Sequence, residues 1–166
     1  GVFLTTNNGA NWAPVSSGLP SIVQSLFING ANLFAGTSSG VFRSTNNGAN
    51  WAPANSGMTN TSVWCFAALG TTLLAGSGVG VHLTTNSGTS WTRVGPPNTD
   101  VWCLALDGTN LFAGPISWGG NDGDGVHLAT NNGTYWTYVG SGLPLYTGVS
   151  ALVVSGSSCF AGTYGF

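Results

Sequence analysis

Four times along the chain the same polar phrase interrupts the hydrophobic pattern: TTNNGANW ending at Trp12, STNNGANW at Trp51, TTNSGTSW at Trp91 and ATNNGTYW at Trp136. The tryptophans are 39, 40 and 45 residues apart, and a recurring period of this size marks one supersecondary unit copied in tandem. Between the phrases, apolar positions alternate or run in blocks of strand length. In the second unit Ser62 to Ala68 (SVWCFAA), Leu73 to Gly76 (LLAG), Gly80 to Thr84 (GVHLT) and Trp91 to Val94 (WTRV) read as four strands separated by Gly-, Ser- and Asn-containing turns. The first of these is apolar on both faces, with Val63, Cys65 and Ala67 on one and Trp64, Phe66 and Ala68 on the other, so it needs packing partners on both sides. Four short strands per unit of ~40 residues predict an all-β chain of about sixteen strands. The expected architecture is a single β-propeller-type domain over 1–166, made of four-stranded antiparallel blades, with repeat units starting near residues 1, 40, 80 and 125.

Each phrase reads as a hairpin lock joined to a core anchor. Asn7, Asn46, Asn86 and Asn131 begin the turns, where a side-chain oxygen can accept from the backbone N–H two residues on. Gly9, Gly48, Gly88 and Gly133 follow two places later and tolerate the positive φ that closes a hairpin. Trp12, Trp51, Trp91 and Trp136 stand three residues beyond, placed to fold their indoles back over the turn. The pattern resembles the Asp-box (BNR) repeat, usually S-x-D-x-G-x-T-W, of sialidase-, sortilin- and xyloglucanase-like propellers. In that family the box lies at the corner between the third and fourth strands of a blade, away from any active site. The resemblance covers all four units. It implies a propeller scaffold without the catalytic residues, and it has one departure: Asn stands where the family prefers Asp, which keeps the turn and removes the charge.

The phase of the repeat raises the question of closure. The chain opens on a third strand, GVFLT, and ends on SALVVSG and CFAGTYG, a first and a second strand. Gly1 to Val15 would complete the blade begun by Val149 to Gly165 and close a ring of four blades. The alternatives are part of a larger propeller, or an open array in which the terminal half-blade of one chain pairs with the next. Starting inside a repeat and without an initiator Met, the chain reads as a portion of something longer.

Composition narrows the partners. Only 4% of the 166 residues are charged, against roughly a quarter in ordinary soluble domains. With a formal net charge of −2 and Arg43 and Arg93 as the only Lys or Arg, there is no electrostatic footprint for a nucleic acid or an anionic lipid surface. No apolar run approaches the roughly eighteen residues of a membrane-spanning helix. A surface rich in Asn, Thr and Gly, with no Glu or Lys, points to an extracellular or cell-surface setting. There the sequons at Asn60 and Asn132 become glycosylation candidates.

Catalytic chemistry finds few carriers. A sialidase needs an arginine cluster and a tyrosine assisted by glutamate, and the chain has two Arg and no Glu. Hydrolysis of neutral glycans needs two carboxylates about 5 to 9.5 Å apart. The acids are Asp100, Asp107, Asp122 and Asp124, and Asp107 occupies a turn position held by Asn29, Leu69 and Ser155 in the other units. His82 and His127 stand where Phe3 and Phe42 stand in the first two units, which reads as an aromatic-sized slot without a third ligand. Cys65 and Cys103 share a small-residue slot with Ser25 and Ala151, and Cys159 matches Leu33, Leu73 and Leu111, so all three read as small hydrophobes. A Cys65–Cys103 bridge between neighbouring blades is the alternative.

The third unit alone carries an insertion, PISWGGNDGDG from Pro115 to Gly125. Its Trp118, Asp122 and Asp124 are ligand-binding candidates, Trp118 by stacking on a sugar ring. Asn121, Asp122 and Asp124 supply the oxygen ligands that calcium takes, and no other cofactor is implied. The functional expectation is a non-enzymatic extracellular repeat module with a structural, self-assembling or adhesive role, meeting itself or other surface proteins. A lectin-like glycan binder is the alternative, and a glycoside hydrolase fragment lacks its acids.

Overall fold

Short apolar blocks punctuated by glycine turns cannot bury themselves singly, and they do so here as antiparallel meanders stacked face to face. The computed structural model describes residues 1–58, 62–95, 99–116, 125–130, 133–144 and 147–164. It opens with a two-stranded sheet of β1 (Phe3–Leu4) and β2 (Ala13–Pro14). Three four-stranded meanders follow. The first is β3 (Val23–Asn29), β4 (Asn32–Thr37), β5 (Gly40–Ser44) and β6 (Ala52–Pro53); the second is β7 (Val63–Leu69), β8 (Thr72–Ser77), β9 (Gly80–Thr84) and β10 (Thr92–Arg93). The third is β11 (Asp100–Asp107), β12 (Asn110–Ile116), β13 (His127–Thr130) and β14 (Tyr135–Tyr138), and a second two-stranded sheet of β15 (Gly148–Ser155) and β16 (Ser158–Tyr164) ends the series.

The registers repeat from sheet to sheet. Gly36 pairs with Val41, Ala35 with Phe42, Phe34 with Arg43 and Leu33 with Ser44; in the next sheet Gly76 pairs with Val81, Ala75 with His82, Leu74 with Leu83 and Leu73 with Thr84. β3, β7, β11 and β15 also shift register after Val23, Val63, Val101 and Val149, so Gln24, Trp64, Trp102 and Ser150 occupy equivalent bulges.

The core lies between sheets. Phe34, Val63 and Leu73 form one buried cluster across the first and second meanders, with Phe27, Phe66 and Ala68 packed against it. Ala67, Leu74, Val101 and Leu111 form the next across the second and third. Thus β7 buries Phe66 and Ala68 toward one neighbour and Ala67 toward the other, as a strand covered on both faces must.

Closure within the chain is not formed. Among the described residues β1–β2 and β15–β16 are separate two-stranded sheets. Each packs instead on its own sequence neighbour, Val2 against Ala35, Phe42 and Trp51, and Val149 against Cys103 and Val126. The result is an open series with a half-sheet at each end.

Candidate interaction surface

The repeated phrase is held by one set of hydrogen bonds in its first three copies. Asn8, Asn47 and Ser87 have φ between 54° and 56°, and the glycines after them lie between 79° and 88°. These are the two left-handed residues of a type I′ turn, closed by Ala10, Ala49 and Thr89 donating to the carbonyls of Asn7, Asn46 and Asn86 at 3.2 Å. The Asn side chains reach further than expected. Their Oδ1 atoms accept from the N–H groups of Asn11, Asn50 and Ser90, four residues on, at 3.0 Å. Two left-handed residues swing the chain back, so the fourth amide, rather than the second, comes round to the side chain. A hydroxyl that the sequence reading missed completes the lock: Thr5, Ser44 and Thr84 donate to Oδ1 at 2.8–2.9 Å and accept from Gly9, Gly48 and Gly88 N–H at 2.9–3.1 Å. An amide oxygen accepts all that a carboxylate would accept there.

The tryptophans then tie each sheet to the one before it. Nε1 of Trp51, Trp91 and Trp136 donates to the carbonyls of Val15, Ala54 and Val94 at 2.7–2.8 Å. The backbone N–H groups of Trp51 and Trp91 donate to Ser17 and Ser56 at 2.9 and 2.8 Å. Trp51 and Trp91 are 6% and 4% exposed, yet Trp12, at the end of an almost identical phrase, is 61% exposed. Its turn glycine, Gly9, has nothing within 4 Å of a Cβ position, whereas those at Gly48 and Gly88 approach the indoles of Trp51 and Trp91 at 3.7 Å. In the first unit, therefore, the indole does not cover its turn.

A second contact recurs on the inner strands. Gly36, Gly76 and Gly114 each receive the valine that opens the next sheet. A Cβ would stand 2.5 Å from the Val63 carbonyl at Gly36, 2.7 Å from that of Val101 at Gly76, and 2.8 Å from Val149 Cγ1 at Gly114. Gly162 is the fourth of this series, and among the described residues a Cβ there meets only its strand neighbour Ala151. In the outer loops Gly18 and Gly57 abut the carbonyls of Trp51 and Trp91, while the matching Gly142 has nothing within 4 Å among the described residues.

Both ends of the series consequently show apolar faces. Leu26 and Ile28 are 49% and 70% exposed on the side of β3 that corresponds to the covered Phe66 and Ala68 of β7. At the other end Val153 and Phe160 are each 59% exposed. They match Phe27 and Phe34, whose rings pack on Phe66 at centroid distances of 6.1 and 6.3 Å. No charged side chain stands on β1, β2, β15 or β16.

The bulges build a smaller feature. Trp64 and Trp102 pack at 5.2 Å with their planes 33° apart. With its amide oxygen and nitrogen exchanged, the Gln24 side chain donates to the Val63 carbonyl and accepts from Trp64 Nε1, both at 3.1 Å. The sequence places Trp64 on a regular strand face. The bulge that aims it beside Trp102 follows from pairing with the second strand, and the only trace in sequence is a bulky or polar residue after each leading valine.

The titratable groups are set by burial. His82 is buried, with Nδ1 3.2 Å from Ser77 Oγ, which itself donates to the Gly80 carbonyl at 2.8 Å. Burial, with a smaller push from the Arg93 charge, lowers its pKa from the ordinary 6.5 to about 4. Burial also lowers that of His127, which packs edge-on against Tyr138 at 5.7 Å. The unfolded chain therefore takes up the proton first as pH falls. Stability is intact above pH 6.5, declines between 6.5 and about 4 by up to about 3 kcal/mol on account of His82, and levels off below. In denaturant titrations at a series of pH values, His82→Phe, which copies the buried Phe42 of the same slot, is expected to flatten this decline.

Cys65, Cys103 and Cys159 are all free thiols. Cys65 and Cys103 Sγ instead face the Val101 and Val149 carbonyls at 3.8 and 3.4 Å. Burial raises the pKa of both, that of Cys103 to about 11. Asp100 and Asp107 mark the two ends of β11, about 23 Å apart along an extended strand, well beyond the separation of a hydrolytic carboxylate pair. No cluster of three or more His, Cys, Asp or Glu able to hold a metal occurs among the described residues. Trp118, Asn121, Asp122, Asp124, Asn131 and the sequon residues Asn60 and Asn132 lie outside the described residues. No helix among the described residues is long and apolar enough to cross a membrane.

No protein-family model and no curated protein sequence matches the chain. Solved structures do. An ancestral GH74 enzyme aligns at 23% identity and a TM-score of 0.60 over 75% of this chain and 19% of its own. The extracellular domain of a one-component system from B. thetaiotaomicron aligns at 13% identity and a TM-score of 0.73, over 92% of this chain and 21% of its own. The computationally designed Ika4 protein aligns at 12% identity and 0.65, over 87% of each chain. This chain thus spans less than a quarter of the first two proteins. The likenesses show a β-propeller-like fold.

Proposed function

We propose that the chain is a non-enzymatic, extracellular β-propeller module built on Asp-box-type turns, with a structural, self-assembling role. One observation carries this reading: what recurs from sheet to sheet is a packing joint, with the indoles of Trp51, Trp91 and Trp136 donating to carbonyls of the preceding unit and a valine of the next sheet seated on Gly36, Gly76 and Gly114. The separation of Asp100 from Asp107 supports a non-catalytic role. The Asn-, Thr- and Gly-rich surface, and the extracellular domain among the structural neighbours, support the location. Light scattering over a concentration series tests the proposal. The average mass is expected to rise with concentration in multiples of the chain mass, and a monomer at every concentration contradicts it.

A lectin-like role is the second reading, favoured by the stacked Trp64–Trp102 pair beside the Gln24 amide. An aromatic face next to a neutral hydrogen-bonding group suits an uncharged sugar. A glycan array compares the wild type with Trp102→Ala, Trp118→Ala and Asp122→Ala. The reading expects binding that Trp102→Ala abolishes; no binding by the wild type removes it. Binding left unchanged by the other two removes the insertion from the site.

A further inference from the structure

We infer that the cleft between the first and second meanders is a binding site for a small hydroxycarboxylic acid, whose carboxylate Arg43 takes. The repeat itself gives the first sign. Arg43 is the fourth residue of GVFRS in β5, and the matching places in the other units hold Leu4, Leu83 and Leu128. At the next joint Leu83 packs against the buried cluster of Leu74, Val101 and Leu111, so the fold asks only for an apolar side chain here. A guanidinium at this place is surplus to the architecture. It also lacks a counter-charge within its surroundings: residues 1–99 contain no Asp or Glu, and among the described residues Arg43 makes no ion pair.

The head group is nevertheless held. Its Nη1 donates across the joint to the carbonyl of Ser87 at 2.8 Å, the left-handed residue of the TTNSGTSW turn. A guanidinium carries five N–H donors, so this bond fixes its orientation and leaves donors for a ligand. Arg43 borders a cleft of about 320 Å³ lined also by Pro53, Ala54, Asn55, Ser56 and Thr89. Both walls belong to neighbouring units inside the chain. The volume lies at the lower end of the ~300–1,000 Å³ of ligand clefts, which suits a small molecule rather than a polymer. Its lining is mixed. Pro53 and Ala54 give an apolar wall, while Asn55 and Thr89 are polar and held from behind. Asn55 Nδ2 donates to the Ser39 carbonyl at 3.0 Å, and Thr89 Oγ1 to the Asn86 carbonyl at 2.9 Å. An amide so held keeps an oxygen and a second N–H, and a hydroxyl keeps its lone pairs. A planar carboxylate matches the guanidinium fork and accepts two parallel N–H bonds. Hydroxyls on the acid meet Asn55, Ser56 and Thr89, and its carbon chain lies along Pro53 and Ala54. The site shares no lining residue with the Trp64–Trp102 pair and does not depend on self-association.

Gluconate is the probe, with sorbitol as the neutral control and sodium chloride as the control for ionic strength. Amide NMR titration of the wild type is expected to give saturable shifts at Asn55, Ser56 and Thr89 with gluconate, and none with either control. Arg43→Leu copies Leu83, so its thermal unfolding is expected to match the wild type while its affinity falls about tenfold or more. Arg43→Lys keeps the charge without the fork and is expected to bind with intermediate affinity, which separates carboxylate recognition from attraction of any anion. The inference is overturned by the absence of saturable gluconate shifts in the wild type, by equal shifts with chloride, or by a folded Arg43→Leu that binds gluconate as well as the wild type. Should Arg43→Leu fail to fold, undiminished binding by Arg43→Lys overturns it.

Discussion

Trp91→Ala is expected to lower the unfolding free energy by about 3–5 kcal/mol, while Trp12→Ala in dilute solution costs less than about 1 kcal/mol. The phrases ending at these two residues are nearly the same, so local propensity predicts equal effects. Their surroundings differ. Trp91 is 4% exposed, packs with Phe34, Val63 and Leu73, and donates from both Nε1 and its backbone N–H to the preceding sheet. Truncation removes a large buried ring and leaves the Ala54 carbonyl without its donor, and both effects add to the cavity. Trp12 makes no such contact among the described residues and is 61% exposed. Denaturant titrations of the two variants at low concentration measure the contrast directly. Equal losses would show that the tryptophan acts through its own turn, and the account of inter-sheet anchoring would fail.

Gly57→Ala is the second large effect, expected at about 3 kcal/mol or more. Gly57 has φ +86°, where a side chain is strained, and its Cβ position abuts the Trp91 carbonyl, with the Trp91 nitrogen 3.4 Å away. Both neighbours are backbone and belong to a strand end already fixed by the Ser56 hydrogen bond, so neither can yield without opening the joint. Gly142→Ala shares the backbone term, with φ +92°, but meets no neighbour within 4 Å among the described residues. It is expected to cost about 1 kcal/mol. Thermal unfolding of dilute samples separates the two, and the difference between them isolates the contact from the dihedral.

The sequence shows the period, the strand blocks and the turn chemistry because these are local: alternation, an Asn–Gly pair and a tryptophan are each read within a few residues. The expected strand blocks of the second unit fall within two residues of β7, β8, β9 and β10 at each boundary. Other features depend on where neighbouring sheets lie, and a single unit does not encode that. The Thr5, Ser44 and Thr84 hydroxyls join the turn only once the left-handed residues fold it back. Trp64 and Trp102 meet because equivalent bulges occur on adjacent first strands. Nothing in the phrase TTNNGANW distinguishes the exposed Trp12 from its buried copies. Gly36, Gly76, Gly114 and Gly162 read as ordinary strand glycines until the incoming valine shows that the first three are seats and the fourth is open. The ring closure expected as one alternative fails for the same reason.

Amide hydrogen exchange across the joint between the first and second meanders tests the central claim most directly. The Trp91 indole is held by the Ala54 carbonyl and the Trp91 backbone N–H by that of Ser56, while the Ala54 and Met58 amides are themselves hydrogen-bonded to Val41 and Asn55. The account predicts that Trp91→Ala speeds exchange of the Ala54 and Met58 amides in the preceding unit. Faster exchange confined to the turn before Trp91 itself would contradict it.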